Sequence, residues 1–358
     1  MAEPHSLGDQ GDAAAGLRPS RLREAESDPA APDVSVVIVN WNVRDLLRRC
    51  LASIAGSDDL FLAGVSQPAS RWTAEVIVVD NASTDGSRAM LAGEFPWVRL
   101  IANADNAGFT RANNQGLAIS RGRFVLFLNP DTELAADAVT TMLDFAAAHP
   151  AVGIVGPQLR YGDGSPQSSR RRFPTLATFF MESTVVQQWW PRNRVLSRYY
   201  MLDRADNAVS RVDWVVGACM LVRREVLDQI GGFDEGFFMY SEELDLCRRA
   251  VSAGWQVAYY PPALVTHYEG KSSEQVVAAR HIRFYTSRVR YVRKYHGAAA
   301  AALVRGFLLL TFVYQWVVEA AKWLAGLVIP TQRGQRSMRR ERMAAYRAVL
   351  RSRLRSHR

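Results

Sequence analysis

Residues 124–133 read Phe-Val-Leu-Phe-Leu-Asn-Pro-Asp-Thr-Glu, an apolar run that leads straight into a polar turn. A short continuous apolar run of this kind is typical of a strand buried on both faces of a parallel sheet. The turn would then present Asp131 at the carboxyl end of the strand, where open α/β sheets bind ligands. A carboxylate in that place suits Mg²⁺ or Mn²⁺ that carries phosphate oxygens. An aspartate that only caps the next helix would have the same local sequence.

Similar apolar runs precede this stretch at 34–39, 75–79 and 98–101. Segments with apolar residues at helical spacing separate them, whereas 57–73 is typical of a loop and 189–206 has no readable pattern. Strands that alternate with helices in this way predict βαβ units and an α/β fold with a parallel sheet. Because polar turns follow the strands, candidate ligand-binding side chains would meet at one edge of that sheet.

The chain of 358 residues has 44 Lys and Arg against 35 Asp and Glu, which gives a formal net charge of +9. An excess of positive charge favours anionic partners such as nucleotide phosphates, nucleic acid or an anionic membrane surface. No nucleic-acid recognition fold accompanies the charge, so we expect no specific nucleic-acid partner. The three cysteines lie far apart without zinc-site spacing, and we interpret each as a small core residue.

Four residues at turns or element ends can carry chemistry, namely Asp80, Asp131, Glu243 and His267. Asp80 can accept a hydrogen bond from a pyrimidine ring N–H, or it can belong to a helix-capping turn. Glu243 can act as a base, or it can stabilise the start of a helix beside Glu242. His267 can bind a metal ion, although a lone histidine is more often structural. The residues alone leave each pair of interpretations open.

Five segments, in the right order, resemble the family 2 glycosyltransferases of the GT-A fold, and most closely their rhamnosyltransferase-like branch. They span about two-thirds of the chain, from about Val34 to His267. The resemblance implies a GT-A domain, whose Rossmann-like, mixed but mainly parallel sheet binds a nucleotide. The segments are Val-Ser-Val-Val-Ile-Val-Asn-Trp-Asn (34–42), Val-Val-Asp-Asn-Ala-Ser-Thr-Asp-Gly-Ser (78–87), Asn-Ala-Gly-Phe with Asn-Asn-Gln-Gly (106–116), Leu-Asn-Pro-Asp (128–131) and Gly-Gly-Phe-Asp-Glu-Gly-Phe-Phe-Met-Tyr-Ser-Glu-Glu-Leu-Asp-Leu-Cys-Arg-Arg (231–249).

The resemblance also implies roles for residues at the predicted sheet edge. Asn129-Pro130-Asp131 stands where such enzymes carry Asp-x-Asp, so Asp131 and a distal ligand, His267, would bind Mn²⁺ or Mg²⁺. Because Asn129 offers only a neutral oxygen, we expect the metal to bind more weakly in the absence of the donor. The residues expected to bind the nucleotide sugar are Val39, Asn40, Trp41, Asp80, Asn113, Asn114, Asn129 and Asp131.

The implied reaction is a single displacement with inversion at the anomeric carbon. Glu243 would take the proton of the acceptor hydroxyl as it attacks, and the nucleoside diphosphate would leave from the opposite face. The family usually has Glu-Asp where this chain has Glu242-Glu243, and Asp245 is the alternative base. Side chains suggested for acceptor contact, each also readable as a core or loop residue, are Arg170, Arg171, Arg172, Asp213 and Trp214.

The last third of the chain is read from its pattern alone. Residues 303–329 are strongly apolar and would form a helix about 40 Å long. A polar line of Thr311, Gln315, Glu319 and Lys322 favours a helix in the membrane interface over a packed or a membrane-spanning helix. Residues 332–358 hold ten arginines and one glutamate, with apolar residues at helical spacing, which favours contact with anionic lipid headgroups.

The expected organisation is a disordered leader (1–32), a nucleotide-sugar-binding half (33–134), an acceptor and catalytic half (135–273) and membrane-associated helices (274–358). The leader has no apolar core of signal-peptide length, so we expect the enzyme on the cytoplasmic face of a bacterial inner membrane. The predicted activity is transfer of rhamnose or another deoxysugar from a dTDP- or UDP-linked donor to a lipid-linked saccharide of the cell envelope. Transfer to polyprenyl phosphate and a non-catalytic nucleotide-sugar-binding scaffold are the alternatives, and an oligomer stays possible.

Overall fold

The structure is a computed structural model, and it describes residues 31–62, 70–268, 277–328 and 334–355. The expected disordered leader lies outside these residues except for its last two positions. The elements are β1 (Val34–Asn40), α1 (Arg44–Ala55), β2 (Leu60–Leu62), β3 (Trp72–Asp80), α2 (Ser87–Glu94), β4 (Arg99–Ala102), α3 (Phe109–Ile119), β5 (Phe124–Leu128), β6 (Thr132–Leu134), α4 (Ala138–Ala148), β7 (Val152–Arg160), β8 (Pro166–Gln167), β9 (Arg170–Arg171), α5 (Leu176–Met181), α6 (Val185–Trp189), α7 (Arg194–Tyr199), β10 (Ser210–Val212), β11 (Trp214–Val215), β12 (Cys219–Arg223), α8 (Arg224–Ile230), α9 (Glu242–Ser252), β13 (Gln256–His267), α10 (Val277–Val328) and α11 (Arg336–Ser352).

One mixed sheet organises the domain, with its main strands in the order β10-β13-β7-β12-β5-β1-β3-β2. Strand β1 lies between β3 and β5 and is parallel to both, in the register that pairs Asn40 with Asp80 and Ile38 with Leu128. Strand β12 runs antiparallel between β5 and β7. The predicted α/β fold with a mixed, mainly parallel sheet is confirmed. The two predicted halves share this sheet, because β12 follows residue 135 yet pairs with β5.

Strand β5, which contains the apolar run 124–128, is buried along its whole length. Its side chains alternate between two packed layers, as strand geometry requires. Leu126 and Leu128 pack with α1 and α4, whereas Val125 and Phe127 face the layer that holds α8, α9 and α10. The Phe127 ring meets Phe233 edge-to-face at a centroid distance of 4.7 Å. The three cysteines are free and buried, in agreement with their interpretation as core residues.

Two stretches differ from the sequence prediction. The expected loop at 57–73 contains β2 and the start of β3, because Leu60 and Leu62 bury their side chains at the sheet edge. The stretch 189–206, which has no readable pattern, contains α7 and the last residue of α6. Both helices are shorter than the window over which helical spacing can be recognised. Side-chain caps from Thr184 and Asn193 begin them.

The carboxyl-terminal helices form an antiparallel hairpin. Helix α10 is interrupted at Gly297, whose φ of +86° is left-handed. Helix α11 packs beside the second part of α10, with Arg339 and Arg342 facing the buried carboxylate of Glu319 and Tyr346 packed on Phe312. Part of the predicted polar line therefore faces α11. The other side of α10 exposes Leu303, Leu310, Val313, Val317, Leu324 and Leu327.

Truncation of the central strand should destabilise the domain. We expect Phe127→Ala to lower the free energy of unfolding by about 3–5 kcal/mol, because it removes a buried ring and its contact with Phe233. Urea unfolding measures the change. Leu100→Ala in the exposed strand β4 is the matched control and should cost less than about 1 kcal/mol. Equal losses in the two variants would contradict the assignment of β5 as the central buried strand.

Candidate active site

A cavity of about 720 Å³ lies at the carboxyl ends of β1 and β5. Its walls come from the polar turns after these strands, from the end of β13 and from the first turns of α9 and α10. It therefore occupies the edge at which the sequence predicts a ligand site. The predicted site residues that line it are Val39, Trp41, Asn129, Asp131, Glu243 and His267.

Asp131 and His267 form a pair at one wall of the cavity. The Asp131 Oδ1 lies 3.4 Å from the His267 Nε2, and both side chains are buried. The pair arises because the end of β13 lies antiparallel to β6, which follows Asp131 directly. On its other side the His267 Nδ1 contacts the Gln167 Oε1 at 3.0 Å, which orients the ring. The Asp131 Oδ1 and the His267 Nε2 thus face each other, an arrangement in which both atoms could coordinate one cation.

The side chain of Asn129 adds a third atom to this wall that could coordinate a metal ion. Its Oδ1 is buried and has no hydrogen-bond partner among the described residues, an arrangement that is costly unless a ligand satisfies the atom. In the described part of the chain no group of three or more His, Cys, Asp and Glu side chains could hold a metal. Two strong ligands and one neutral oxygen therefore fit Mn²⁺ or Mg²⁺ only if the donor's phosphate oxygens complete the shell.

Glu243 reaches the cavity from the first turn of α9. Burial raises the pKa of its carboxyl above the usual range for glutamate, although nearby backbone N–H groups and Arg171 oppose the shift. Burial and the neighbouring Glu243 also raise the pKa of Glu242. Gly217 makes room for the base, because a Cβ there would lie 3.2 Å from the Cβ of Glu243. A base whose proton affinity is raised suits proton abstraction near neutral pH.

Strained backbone leads into this helix. Tyr240 and Ser241 have φ values of +70° and +68°, a region that residues other than glycine rarely adopt. Such strain persists only where the surroundings fix it, and it clusters at functional sites. Here the Met239 carbonyl accepts a hydrogen bond from Ser287, and Phe238 packs against Gly108. The loop that delivers Glu243 is therefore held from both sides.

The alternative base, Asp245, does not line the cavity. Its carboxylate is fully buried and contacts the Arg249 Nε at 2.8 Å, the Lys294 Nζ at 2.6 Å and the Tyr295 hydroxyl at 2.7 Å. Three donors occupy its oxygens, so they are not available to an acceptor hydroxyl. The geometry favours Glu243 over Asp245 for that role.

Asp80 and Asn40 lie behind the cavity wall rather than in its lining. The Asp80 carboxylate accepts hydrogen bonds from the Arg88 Nε at 2.6 Å, from the Asn40 side chain at 2.9 Å and from the Ser83 backbone N–H at 3.1 Å. Burial raises the pKa of Asp80, but these hydrogen bonds outweigh it and leave the pKa below its usual value. Asp80 therefore closes the turn after β3, and a nucleobase would have to displace Arg88 to reach it.

Asn113 and Asn114 do not line the cavity in the structure. Asn113 is buried in α3, where its amide donates to the Phe109 carbonyl at 3.0 Å. Asn114 instead exchanges hydrogen bonds with the backbone of Phe233. Their side chains thus join α3 to its own first turn and to the turn before α9, which differs from the expected contact with the donor.

The residues suggested for acceptor contact also lie outside the cavity lining. The Asp213 carboxylate accepts the Phe173 N–H, and the Trp214 indole donates to the Arg172 carbonyl. Arg170 is buried and bonded to the Arg204 carbonyl and Asp206. Arg171, stacked over Tyr200, acts only at a distance by opposing the rise in the pKa of Glu243. These side chains hold the strands β9 and β11 together beneath α9.

Several residues that line the cavity were not among the predicted site residues. They come from the loop before α9 and from the first turns of α10. The expectation that ligands bind at the carboxyl ends of strands does not identify residues in these places. Basic residues recur along 280–294 in the sequence, but this pattern does not reveal which of them face the cavity. These residues include Phe238, Met239, Tyr240, Glu242, Arg280, His281, Arg283 and Phe284.

This fold, with a carboxylate–imidazole pair and a candidate base in one cavity, is that of a GT-A glycosyltransferase. The chain belongs to glycosyl transferase family 2, whose family model matches residues 35–231. The model of glycosyl transferase family 21 matches residues 198–340. The predicted family and the predicted enzyme class are confirmed.

Curated relatives include the N-acetylglucosaminyl-diphospho-decaprenol L-rhamnosyltransferase of Mycobacterium tuberculosis, 35% identical over 63% of this chain and 77% of that protein. The rhamnosyltransferase WbbL of Escherichia coli is 29% identical over 45% of this chain and 61% of its own length. Among solved structures, a mannosyltransferase from Pyrobaculum calidifontis in complex with GDP-Man and Mn²⁺ has a TM-score of 0.52 at 18% identity and covers 90% of this chain and 88% of its own. The last likeness supports the GT-A fold alone.

The neutral oxygen of Asn129 generates a prediction about metal binding. In wild-type protein Mn²⁺ should bind weakly and gain affinity when a nucleoside diphosphate is added, because phosphate oxygens complete the shell. Asn129→Asp should raise the affinity for Mn²⁺ without nucleotide by about tenfold, since it adds an anionic ligand. Titration followed by electron paramagnetic resonance of free Mn²⁺ measures both effects.

Asn106→Asp is the matched control, because Asn106 lines the same cavity but its side-chain oxygen accepts the Gly108 N–H at 3.0 Å. It should leave the affinity for Mn²⁺ within about threefold of wild type, since its side-chain oxygen is engaged by the Gly108 N–H and would not coordinate the ion. A wild-type affinity that nucleotide does not change would refute the assigned site.

Proposed function

We propose that the protein transfers a deoxysugar from a dTDP- or UDP-linked donor to a lipid-linked saccharide in cell-envelope polysaccharide synthesis. By similarity to its relatives, we infer that the sugar is rhamnose. One observation carries the proposal: Glu243, Asp131 and His267 line a single cavity at the nucleotide-binding edge of the sheet. A cation site beside a buried base is what direct displacement at an anomeric carbon requires.

The donor would lie along the ends of β1 and β5. Val39 and Trp41 line the cavity beside Asn129 and Asp131, where they would position the nucleotide. Asp131, His267 and Asn129 would hold Mn²⁺ or Mg²⁺. When bound, the cation neutralises the charge that develops on the departing diphosphate. Positioning of this kind supplies much of the rate in a reaction that needs little covalent help from the protein.

Glu243 would accept the proton of the acceptor hydroxyl, which then attacks the anomeric carbon from the face opposite the diphosphate and inverts its configuration. The raised pKa of Glu243 sets the pH dependence. Only the ionised form can accept a proton, so the rate should rise with pH through an apparent pKa above the usual glutamate range. Because Glu242 and Glu243 interact, that apparent value belongs to the pair.

Relatives support the choice of acceptor. The Mycobacterium tuberculosis relative is named for transfer of L-rhamnose to N-acetylglucosaminyl-diphospho-decaprenol. Its similarity covers 63% of this chain, and we infer the same substrate class here. An acceptor with a long polyprenyl tail requires the site to work beside a membrane.

The carboxyl-terminal hairpin supports attachment to the membrane surface. By length and composition α10 could cross a membrane, but α11 packs along its apolar part, with Arg347 over Trp316 and Arg336 over Trp323. Arginines are expensive inside a bilayer, so the hairpin fits the interface better. Its exposed apolar face would enter the headgroup region while α11 meets anionic lipids, on the cytoplasmic face if the donor is cytosolic.

Removal of the base tests the mechanism. Glu243→Gln should lower kcat by about 10³-fold, since general-base catalysis is worth about 10²–10⁴, while dTDP or UDP binding changes less than about threefold. The assay follows transfer from dTDP-rhamnose, or a UDP-sugar, to a polyprenyl-diphosphate-linked N-acetylglucosamine with Mn²⁺. The rise of rate with pH should vanish in the variant.

Glu225→Gln is the matched control, because Glu225 also lies in the first turn of a helix, α8, and is exposed. It should retain wild-type turnover and pH dependence. A product with a single phosphate between sugar and lipid would indicate polyprenyl phosphate as the acceptor instead. Unchanged turnover in Glu243→Gln would refute the assigned base.

A further inference from the structure

The first turns of α10 form a wall of the active-site cavity. Arg280, His281 and Arg283 line it together with Phe284 and Tyr285. Residues three apart on a helix lie on the same face, about 5–6 Å apart at their Cβ atoms. Two guanidinium groups are therefore presented side by side to the space in which Glu243 lies.

These two arginines differ from three cations that follow them on the same helix. Arg288 is paired with Glu182, Arg290 with Asp234, and Lys294 with Asp234 and Asp245. Within the described ranges, neither Arg280 nor Arg283 has a carboxylate partner. Three cations of this helix thus pair with protein carboxylates, whereas the two that line the cavity have no such partner among the described residues.

The environment of Arg283 makes the missing counter-charge costly. Its guanidinium lies 4.2 Å from the centroid of the Phe238 ring, and burial lowers its pKa. Burial and the charge of Arg280 also lower the pKa of His281. A cation that is partly withdrawn from water without an anion is destabilising. An anionic ligand in the cavity would remove that cost.

This wall packs against the loop before α9. Arg283 lies on Phe238, Phe284 packs against Tyr240 at a ring distance of 5.5 Å, and Ser287 donates to the Met239 carbonyl. These contacts are all with the loop that leads into Glu242 and Glu243. An anion held by α10 would therefore lie beside the base that receives the acceptor proton.

A second cavity of about 340 Å³ adjoins this wall and shares Ser183, His281 and Tyr285 with the first. It lies among α6, α10 and α11, where Gln187 and Gln188 also line it. The next two residues, Trp189 and Trp190, are 67% and 57% exposed. Trp189 meets Tyr314 edge-to-face, beside the exposed apolar side of α10. The second cavity thus extends from this wall toward a helix that ends in aromatic side chains of the kind found at membrane interfaces.

We infer that Arg280 and Arg283 bind the diphosphate of a polyprenyl-diphosphate-linked acceptor, whose tail leaves along α10. The inference rests on the proposed function for the class of acceptor. A diphosphate offers oxygens to two neighbouring guanidinium groups at once, and such charge-assisted hydrogen bonds are strong and directional. Because no carboxylate among the described residues pairs with Arg280 or Arg283, both guanidinium groups are available to the substrate.

The test measures binding of farnesyl diphosphate to the full chain by isothermal titration calorimetry, with Mn²⁺ and saturating dTDP or UDP occupying the donor site. Farnesol is the probe without phosphate. The double variant Arg280→Gln/Arg283→Gln should bind farnesyl diphosphate about 10- to 100-fold more weakly, since each charged hydrogen bond is worth about a tenfold change or more. Its binding of the nucleotide should stay within about threefold of wild type.

Arg293→Gln is the matched control, because Arg293 lies on the same helix, is exposed and does not line either cavity. It should bind farnesyl diphosphate as wild type does. If the nucleotide displaces farnesyl diphosphate, or the double variant loses nucleotide instead, the arginines serve the donor and the inference is wrong. Equal weakening for farnesol would also overturn it, since it would indicate a purely structural role.

A transfer assay separates this inference from the proposed function. If wild-type protein binds farnesyl diphosphate through Arg280 and Arg283 but transfers no sugar to any polyprenyl-diphosphate-linked saccharide, the proposed function fails and the diphosphate site stands. If transfer to such an acceptor is normal in the double variant, with an unchanged KM for the acceptor, the site fails and the proposed function stands.

Discussion

The buried carboxylate of Asp245 is the constraint on which the active site depends. It sits two residues after Glu243 and is fully buried, with Arg249 on its own helix and Lys294 and Tyr295 on α10 as partners. A buried charge of this kind is tolerated only while its partners stay in place. The cluster therefore fixes α9 against α10, and with it the direction in which Glu243 enters the cavity.

The same ties make the carboxyl-terminal helices part of the catalytic domain. Lys294 and Arg290 also hold Asp234, in the turn before α9, and their charges together with hydrogen bonds lower its pKa to about 2 despite its burial. The first part of α10 thus forms a wall of the cavity, and its second part, beyond Gly297, carries the exposed apolar face. Attachment to a membrane and shaping of the acceptor site would be performed by one element.

The sequence predicted those features that local pattern determines. Asp131 follows a buried strand, and its pairing with His267 across the sheet agrees with the resemblance; Glu243 likewise lines the cavity. Pairing between residues far apart in the chain could not be predicted from the sequence. Asp245 and Glu243 are both acidic residues in the first turn of α9. Only the ion pair with Lys294, 49 positions after Asp245, shows that Asp245 is the structural one. Asn113, Asn114 and Asp80 look like ligands by position, but their hydrogen bonds are made within the protein.

The most direct test is the activity of a Lys294 variant measured beside its nucleotide affinity. Lys294→Met removes the link from α10 to Asp245 and Asp234. It should lower kcat by about tenfold or more, because a small misplacement of the base costs that much in rate, with dTDP or UDP affinity unchanged. Lys294→Arg should restore most of the turnover, because it restores the charge. Wild-type turnover in Lys294→Met would contradict the claim that this cluster positions the base.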